Sequence, residues 1–252
     1  MPRPVFDHPI AHRGLHNRAA GVIENSRTAF GLAVARGFAI ECDLQLSRDG
    51  VPMVFHDSEL RRLLGRPGRV IELTAAELGA LPLLGSSSGD RPQRLGELLA
   101  QIGGRVLLQI ELKHQVGPAT ATLAKAVADT VAGYAGPLVL ESFDPELIAL
   151  VRRFGFRGPR GIITERYDKP EHGAVRLSRR QRAYLRGLWH WPWTNFDFIS
   201  AHHAALDLPA VRFWRALGKP VTAWTIRSAA EAATSLAQAD QIVFEGFDPT
   251  RG

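Results

Sequence analysis

The chain has 252 residues, of which 45% are hydrophobic and 22% are charged, so it is long enough for one well-buried core and short for two. Its formal charge of +6 favours anionic partners such as phosphates, nucleic acid or a lipid surface, without selecting among them. The single cysteine, Cys42, excludes an internal disulfide framework and a cysteine-rich zinc site. No apolar run has the length of a secretory signal or the ~18 residues of a membrane span. We therefore expect a cytoplasmic protein with no stable membrane insertion.

Short runs of β-branched and apolar residues alternate with Ala- and Leu-rich stretches along the chain, which predicts parallel βα units in an α/β fold. In chain order, nine strands are predicted, at residues 9–11, 38–45, 51–55, 106–112, 138–142, 161–164, 196–200, 221–226 and 241–244. Helices are predicted at residues 26–36, 96–102, 119–132, 145–154 and 209–217.

The second and third predicted strands are joined by only residues 46–50, far fewer than the dozen that a parallel crossover needs. They must form a hairpin, and Asp49-Gly50 is suitable turn chemistry. Eight parallel strands then remain in a length near the ~250 residues typical of a (β/α)8 barrel. We predict a single-domain TIM barrel over residues 1–252 with a β-hairpin extension after strand 2. An open doubly wound sheet is the alternative, but no G-x-G-x-x-G follows the first strand.

Polar side chains occur at the ends of four predicted strands, which is where barrel active sites are built. They are His12 and Arg13 after the first strand, Glu41 and Asp43 in the second, His56 on the return limb of the hairpin, and Glu111 and Lys113 in the fourth. The period of two along a strand places Glu41 and Asp43 on one face. A hairpin turning about residues 47–50 is predicted to pair 46 with 51, 43 with 54 and 41 with 56, which brings His56 beside Glu41.

Three carboxylates without cysteine suit a hard divalent cation, Mg²⁺ or Ca²⁺. Because a buried carboxylate cluster is costly to desolvate, a metal or basic partners are expected beside it. Arg13, Lys113 and the metal would together attract an anion, most simply a phosphate. An ion-paired cluster of Glu41 and Asp43 with Arg13 and Lys113, without metal, is the alternative.

Several motifs occur in a recognisable order. They are A-H-R-G at 11–14, E-N-S at 24–26, E-C-D-L-Q-L-S-R-D-G at 41–50, V-F-H-D at 54–57, I-E-L-K at 110–113, S-F-D at 142–144 and A-W-T-I at 223–226. With these motifs the chain resembles the glycerophosphodiester phosphodiesterase family from residue 10 to about residue 226. The resemblance implies a (β/α)8 barrel that hydrolyses a small-molecule glycerophosphodiester to sn-glycerol 3-phosphate and an alcohol, in lipid metabolism.

The resemblance also implies roles for individual residues. It implies acid/base catalysis by His12 and His56, metal binding by Glu41, Asp43 and Glu111, and substrate binding by Arg13, Lys113, Asn25 and Trp224. The nucleophile is water or the 2-hydroxyl group of the substrate, and either histidine is the base.

Five positions depart from the family pattern: Ile23, Ser26, Arg227 and the Phe244-Glu245 pair. Asparagine is common where Arg227 stands, and a Thr-Asp pair is frequent at 244–245. None of these departures is expected to touch a proposed ligand or catalyst. They bear on leaving-group preference, because the last loops shape the mouth of a barrel.

The sequence also offers alternatives to this function. A binding module for glycerophosphodiesters would use the same pocket without needing both histidines. Nucleic-acid binding would rest on arginines 176, 179, 180, 182 and 186, but a solvated helix face explains them more simply, so no nucleic-acid partner is expected. The aromatic run at 189–193 is interpreted as loop packing rather than as a lip for lipid-derived substrate. A phospholipase D that acts on lysophospholipids is the nearest alternative enzyme.

Overall fold

The computed structural model describes residues 6–169, 171–172 and 175–250. Its strands are β1 (Ile10–Ala11), β2 (Ala39–Leu46), β3 (Pro52–Val54), β4 (Leu108–Leu112), β5 (Leu138–Ser142), β6 (Arg160–Thr164), β7 (Glu171–His172), β8 (Val175–Arg176), β9 (Phe198–His202), β10 (Val221–Ile226) and β11 (Gln241–Phe244). Strands β1, β2, β4, β5, β6, β9, β10 and β11 pair in parallel in that order, and β11 pairs back with β1. This closed ring of eight confirms the predicted TIM barrel.

The strand β3 pairs antiparallel with the outer part of β2, as the short connection predicted. The predicted register, however, is wrong by one residue: Leu44 pairs with Val54 and Leu46 with Pro52. The turn is shorter than expected, because Ser47 N–H donates to Val51 O and Gly50 adopts a left-handed φ of 79°, which suits a three-residue hairpin loop. The observed register places Leu44 and Val54 together in the core, whereas a one-residue slip would turn one of them away from it.

The helices are α1 (Arg27–Ala35), α2 (Arg61–Leu64), α3 (Ala75–Ala80), α4 (Leu95–Ile102), α5 (Pro118–Val131), α6 (Pro145–Arg153), α7 (Arg179–Arg186), α8 (Trp191–Thr194), α9 (Pro209–Ala216) and α10 (Ala229–Leu236). All five predicted helices are present, and several begin at a side-chain cap. The hydroxyl of Ser26, for example, accepts the backbone N–H of Ala29 at the start of α1. Within the described residues, no helix has the length and apolar character needed to cross a bilayer.

Alternation along the strands separates the core from the site. On β2, Ile40, Cys42 and Leu44 pack outward against the helices, and Glu41 and Asp43 point into the barrel. An apolar layer that includes Ile10, Ala39, Val139, Phe198 and Val243 fills the barrel toward the amino-terminal ends of the strands.

Gly161 leaves room for this layer, because a Cβ there would lie 2.3 Å from the ring of Phe198. The barrel is therefore filled at one end and polar at the other.

The aromatic run at 189–193 divides in two. His190 is buried and Trp191 packs against Trp214, with 4.7 Å between ring centroids, whereas Trp189 and Trp193 are 71% and 51% exposed. The run precedes the amino-terminal end of β9, away from the polar mouth, so it is not a lip of the active site.

The arginine-rich helix α7 has no buried residue, as a solvated helix face would have. The predicted packing thus holds for His190 and Trp191. Of the basic residues of α7, Arg179, Arg180 and Arg186 are exposed, whereas Arg182 donates to the backbone carbonyls of Tyr167 and Asp168.

Candidate active site

Three acidic side chains meet inside the mouth of the barrel. In the parallel register of β2 and β4, Asp43 pairs with Glu111, and Glu41 lies one layer below on the same face. Each residue offers a carboxylate oxygen, and these oxygens lie within 4.8 Å of one another. The structure therefore brings Glu41, Asp43 and Glu111 together, as the strand pattern predicted.

Burial makes it costly to ionise two of the three carboxyl groups in this cluster. Desolvation, reinforced by neighbouring carboxylates, raises the pKa of Glu41 well above its ordinary value, and desolvation and Asp43 raise the pKa of Glu111 despite the nearby Lys113. Burial would also raise the pKa of Asp43, but Lys113, His56 and Arg13 hold it well below its usual range. Because Glu41 and Glu111 resist ionisation where they stand, added positive charge is favourable here. Three oxygen donors fit a hard divalent cation.

Lys113 follows β4 and reaches back over the cluster. Its Nζ lies 2.8 Å from Oδ1 of Asp43 and 2.8 Å from Oε2 of Glu111. Burial would lower the pKa of Lys113, but these two carboxylates raise it above its ordinary value, so the ammonium stays charged. This is the basic partner that the sequence predicted beside the carboxylates.

Arg13 and Asn25 both adopt left-handed backbone conformations, with φ of 55° and 53°, where the chain turns after β1 and before α1. Arg13 N–H donates to Oε2 of Glu41 at 3.0 Å, and its Nε lies 3.3 Å from Oδ2 of Asp43. Its Nη1 donates to Glu24 at 2.7 Å.

Asn25 was predicted to bind substrate at the mouth, but it is 2% exposed. Its Nδ2 donates to Oδ2 of Asp43, and its Oδ1 accepts the backbone N–H of Asp43. Both ends of the amide thus contact Asp43, and the substrate-binding role of Asn25 stays a prediction.

His12 lies at the carboxyl end of β1 with 15% of its side chain exposed. Its Nδ1 lies 2.6 Å from Oε2 of Glu245, and its Nε2 lies 3.9 Å from Oε2 of Glu41. Burial lowers the pKa of His12 although Glu245 opposes this. The expectation that Glu245 touches no catalyst was therefore wrong. The missed signal is barrel closure, since β1 pairs with β11 and sets residues 12 and 245 side by side.

His56 stands at the end of the hairpin with a carboxylate of its own. Its Nδ1 lies 2.7 Å from Oδ1 of Asp57, and Nε of Arg62 donates to the other oxygen of Asp57 at 2.6 Å. His56 is near enough to the cluster to contribute to the lowered pKa of Asp43 and to oppose part of the rise in the pKa of Glu111. The predicted pairing of His56 with Glu41 across the hairpin was wrong by one residue, but His56 still lies at the mouth of the barrel.

An ionic chain joins the two histidine regions. Arg62 donates to both oxygens of Glu24, at 2.6 and 2.8 Å, and Glu24 in turn binds Arg13. Burial would raise the pKa of Glu24, but the hydrogen bonds from Arg62 and the charge of Arg13 lower it to about 2. Glu24 and Arg62 are neighbours of the site that the sequence did not reveal as partners.

Two further residues complete the lining. Trp224 on β10 is half-buried, donates Nε1–H to Ser200 O at 3.0 Å, and meets Phe143 and His202 edge-on. Its role as an aromatic wall of the substrate site stays a prediction.

Glu141 on β5, which the sequence did not single out, pairs in register with Glu111 and accepts Nε2–H of Gln109 at 2.9 Å. Burial raises the pKa of Glu141 to about 8, so it retains its proton at neutral pH and adds no fourth negative charge.

Known proteins have similar sequences. A model of the glycerophosphoryl diester phosphodiesterase family matches residues 12–244. Glycerophosphodiester phosphodiesterase 1 of Bos taurus is 26% identical over 244 residues, covering 87% of this chain and 71% of that protein. The putative glycerophosphodiester phosphodiesterase YhdW of Bacillus subtilis is 27% identical over 232 residues, covering 89% of this chain and 88% of that protein.

A solved structure shows the same fold. An Oleispira antarctica phosphodiesterase, in complex with the product sn-glycerol-3-phosphate, superposes with a TM-score of 0.77 at 23% identity, over 95% of this chain and 93% of that chain. The match across nearly the whole chain, on a barrel whose mouth gathers acids, bases and imidazoles, shows that the chain belongs to the glycerophosphoryl diester phosphodiesterase family and is an enzyme of that class.

Proposed function

We propose that the chain is a metal-dependent enzyme that hydrolyses glycerophosphodiesters to sn-glycerol 3-phosphate and an alcohol. The observation that carries this proposal is the convergence of two imidazoles, three carboxylates and two basic side chains on one mouth of the barrel. The product bound to the Oleispira antarctica relative supports the same reaction for this chain.

The residues that would hold the cation are Glu41, Asp43 and Glu111, and their oxygen donors suit Mg²⁺ or Ca²⁺. When bound, the cation supplies positive charge that stabilises the negative charge growing on the phosphate oxygens. Arg13 and Lys113 add two further charges beside the same cluster, so a phosphodiester is bound and oriented there. Trp224 forms an aromatic wall on one side of the mouth, beside Phe143 and His202.

The two histidines divide the proton transfers. In each, Nδ1 lies within hydrogen-bond distance of a carboxylate, so Nε2 is the atom left for the substrate. One imidazole removes the proton of the nucleophile as the new P–O bond forms, and the other gives a proton to the departing alcohol oxygen as the old P–O bond breaks. The nucleophile is water or the glycerol 2-hydroxyl, which would give a cyclic phosphate that water then opens.

The test measures the release of glycerol 3-phosphate from a panel of glycerophosphodiesters, before and after thorough chelation and after adding back Mg²⁺ or Ca²⁺. We expect chelation to abolish turnover and one of the two cations to restore it. The variants His12→Ala and His56→Ala should each lose about 100-fold to 10,000-fold in rate. His114→Ala is the matched control, because this exposed histidine also pairs with a carboxylate, that of Asp144, outside the mechanism.

Near-normal turnover in both histidine variants would contradict the acid/base assignment. Turnover that survives thorough chelation would contradict the metal requirement and leave the fold unaffected. A long-acyl lysophospholipid that outcompetes the soluble diesters would instead favour phospholipase D activity.

A further inference from the structure

Two of the positions that depart from the family pattern, Arg227 and Glu245, contact each other. Arg227 follows β10 and Glu245 follows β11, so both stand at the carboxyl edge of neighbouring strands. Oε1 of Glu245 accepts Nε–H of Arg227 at 2.8 Å and lies 2.6 Å from its Nη2. The two departures are therefore joined by an ion pair with two contacts to one oxygen.

The other oxygen of the same carboxylate is turned toward His12. Oε2 of Glu245 lies 2.6 Å from Nδ1 of His12 and 3.7 Å from Nε2 of His16. A carboxylate at this distance accepts a hydrogen bond from Nδ1–H, which favours the tautomer with the proton on Nδ1 and an open Nε2. It also fixes the rotation of the ring, and Nε2 then faces the carboxylate cluster, 3.9 Å from Glu41.

The backbone of Arg227 is held at the start of α10, while its side chain is 58% exposed. Its backbone N–H donates to Oε2 of Glu231 at 2.7 Å, at the start of α10. A glutamate side chain has more rotamers than the aspartate that is frequent at this position, so it needs a second contact to stay aimed at the ring. The long guanidinium of Arg227 provides that contact, which the asparagine common at its position is too short to provide in the same way.

We propose that Arg227 and Glu245 are a matched pair of positioning residues that fixes the tautomer and orientation of His12, so that its Nε2 faces the reacting phosphate. The proposal deepens the proposed function and rests on it, because it takes His12 as one of the two proton-transfer groups. The competing account is an ion pair that only joins the loops after β10 and β11. In that case His12 would act equally well without it.

The kinetic test uses the full chain with a saturating divalent cation and four variants: Glu245→Gln, Glu245→Asp, Arg227→Asn, and the double variant Arg227→Asn/Glu245→Asp. We expect Glu245→Gln to lower kcat by about 100-fold or more, as when a catalytic histidine loses its orienting carboxylate, while KM changes by less than about threefold. The double variant should retain more activity than the product of the two single effects predicts, because the pair is coupled.

A spectroscopic test reads the tautomer without relying on turnover. The ¹⁵N chemical shifts of labelled histidine report which ring nitrogen carries the proton, and the His12 signal is assigned by its absence from His12→Asn. We expect Nδ1–H in the wild type and a population of Nε2–H in Glu245→Gln, since the glutamine amide can donate to Nδ1. Asp144→Asn is the matched control, because Asp144 contacts Nδ1 of His114 at 2.7 Å outside the mechanism.

The outcomes separate the two proposals. Loss of turnover in His12→Asn with normal kcat in Glu245→Gln would overturn the positioning role alone. Normal turnover in His12→Asn would overturn the proton-transfer role of His12 in the proposed function, while the tautomer measurement would still show whether Glu245 holds the ring. Nε2–H in the wild type, or single-variant effects that multiply, would overturn the matched pair.

Discussion

We predict that acid lowers the stability of this protein through one buried histidine, His190, which lies away from the candidate active site. His190 has no exposed surface and is surrounded by the rings of Tyr184, Trp193 and Phe196. Its Nδ1 lies 3.2 Å from Oγ1 of Thr194, and Nε2 has no hydrogen-bond partner among the described residues. Burial lowers the pKa of His190 from 6.5 to about 4.

The sign and size of the effect follow from linkage. Between pH 6.5 and 4 the unfolded chain binds a proton at this position and the folded chain does not, so the free energy of unfolding falls as the pH falls. A shift of about 2.5 pKa units corresponds to about 3 kcal/mol, and about 2.5 kcal/mol of it should be lost between pH 7.5 and 4.5. Above pH 6.5 this contribution is fully present.

The assay compares urea unfolding of the wild type and of His190→Asn at several pH values between 7.5 and 4.5. Asparagine keeps a polar atom near Thr194 but does not titrate, so the stability difference between the two proteins should shrink by about 2.5 kcal/mol over this range. His8→Asn, at an exposed histidine, is the control and should show no such trend. A difference that stays constant, or grows as the pH falls, would refute the argument that burial of a neutral imidazole causes the acid sensitivity.

Two further predictions concern buried charges. Arg160→Met should lower the free energy of unfolding by about 3 kcal/mol or more. The fully buried guanidinium donates to three backbone carbonyls, and these would lose their partners. A loss below about 1 kcal/mol in urea unfolding would contradict this. Glu41→Gln should raise the melting temperature of the cation-free protein at pH 8 by about 2–4 °C. Because the pKa of Glu41 is raised in the folded state, ionisation of this carboxyl group destabilises the folded state as the pH rises. An unchanged or lower melting temperature would show that the carboxylate carries no such cost.

Much of the barrel follows from the sequence because its strands are short apolar runs separated by turn and helix signals. The helices that were not predicted show what that method lacks. α7 begins with a Ser178 and Gln181 capping box but has no buried residue, so it offers no apolar periodicity to detect. α10 begins at Ser228, whose hydroxyl accepts Glu231 N–H. A serine at this position is typical of a helix start, so the sequence does contain a signal for this helix.

In the candidate site, too, some residues could be predicted from the sequence and others could not. Glu41, Asp43 and Glu111 were predictable together because they lie on two strands whose side-chain alternation is read directly from the sequence. Glu245 was not, because its contact with His12 spans 233 positions and depends on which strands close the ring. The hairpin register failed for a local reason, since one residue more or less in a turn reverses the face of every side chain beyond it.

Closure of the ring through β11 has a consequence for biosynthesis. Strand β1 has only two residues, Ile10 and Ala11, and one of its two neighbours, β11, comprises Gln241–Phe244, near the end of the described chain. A growing polypeptide that has not yet passed residue 244 on its way out of the ribosome leaves one edge of β1 unpaired and His12 without the carboxylate that follows β11. The contact between His12 and Glu245 at the mouth of the barrel can therefore form only after β11 has been synthesised and has paired with β1.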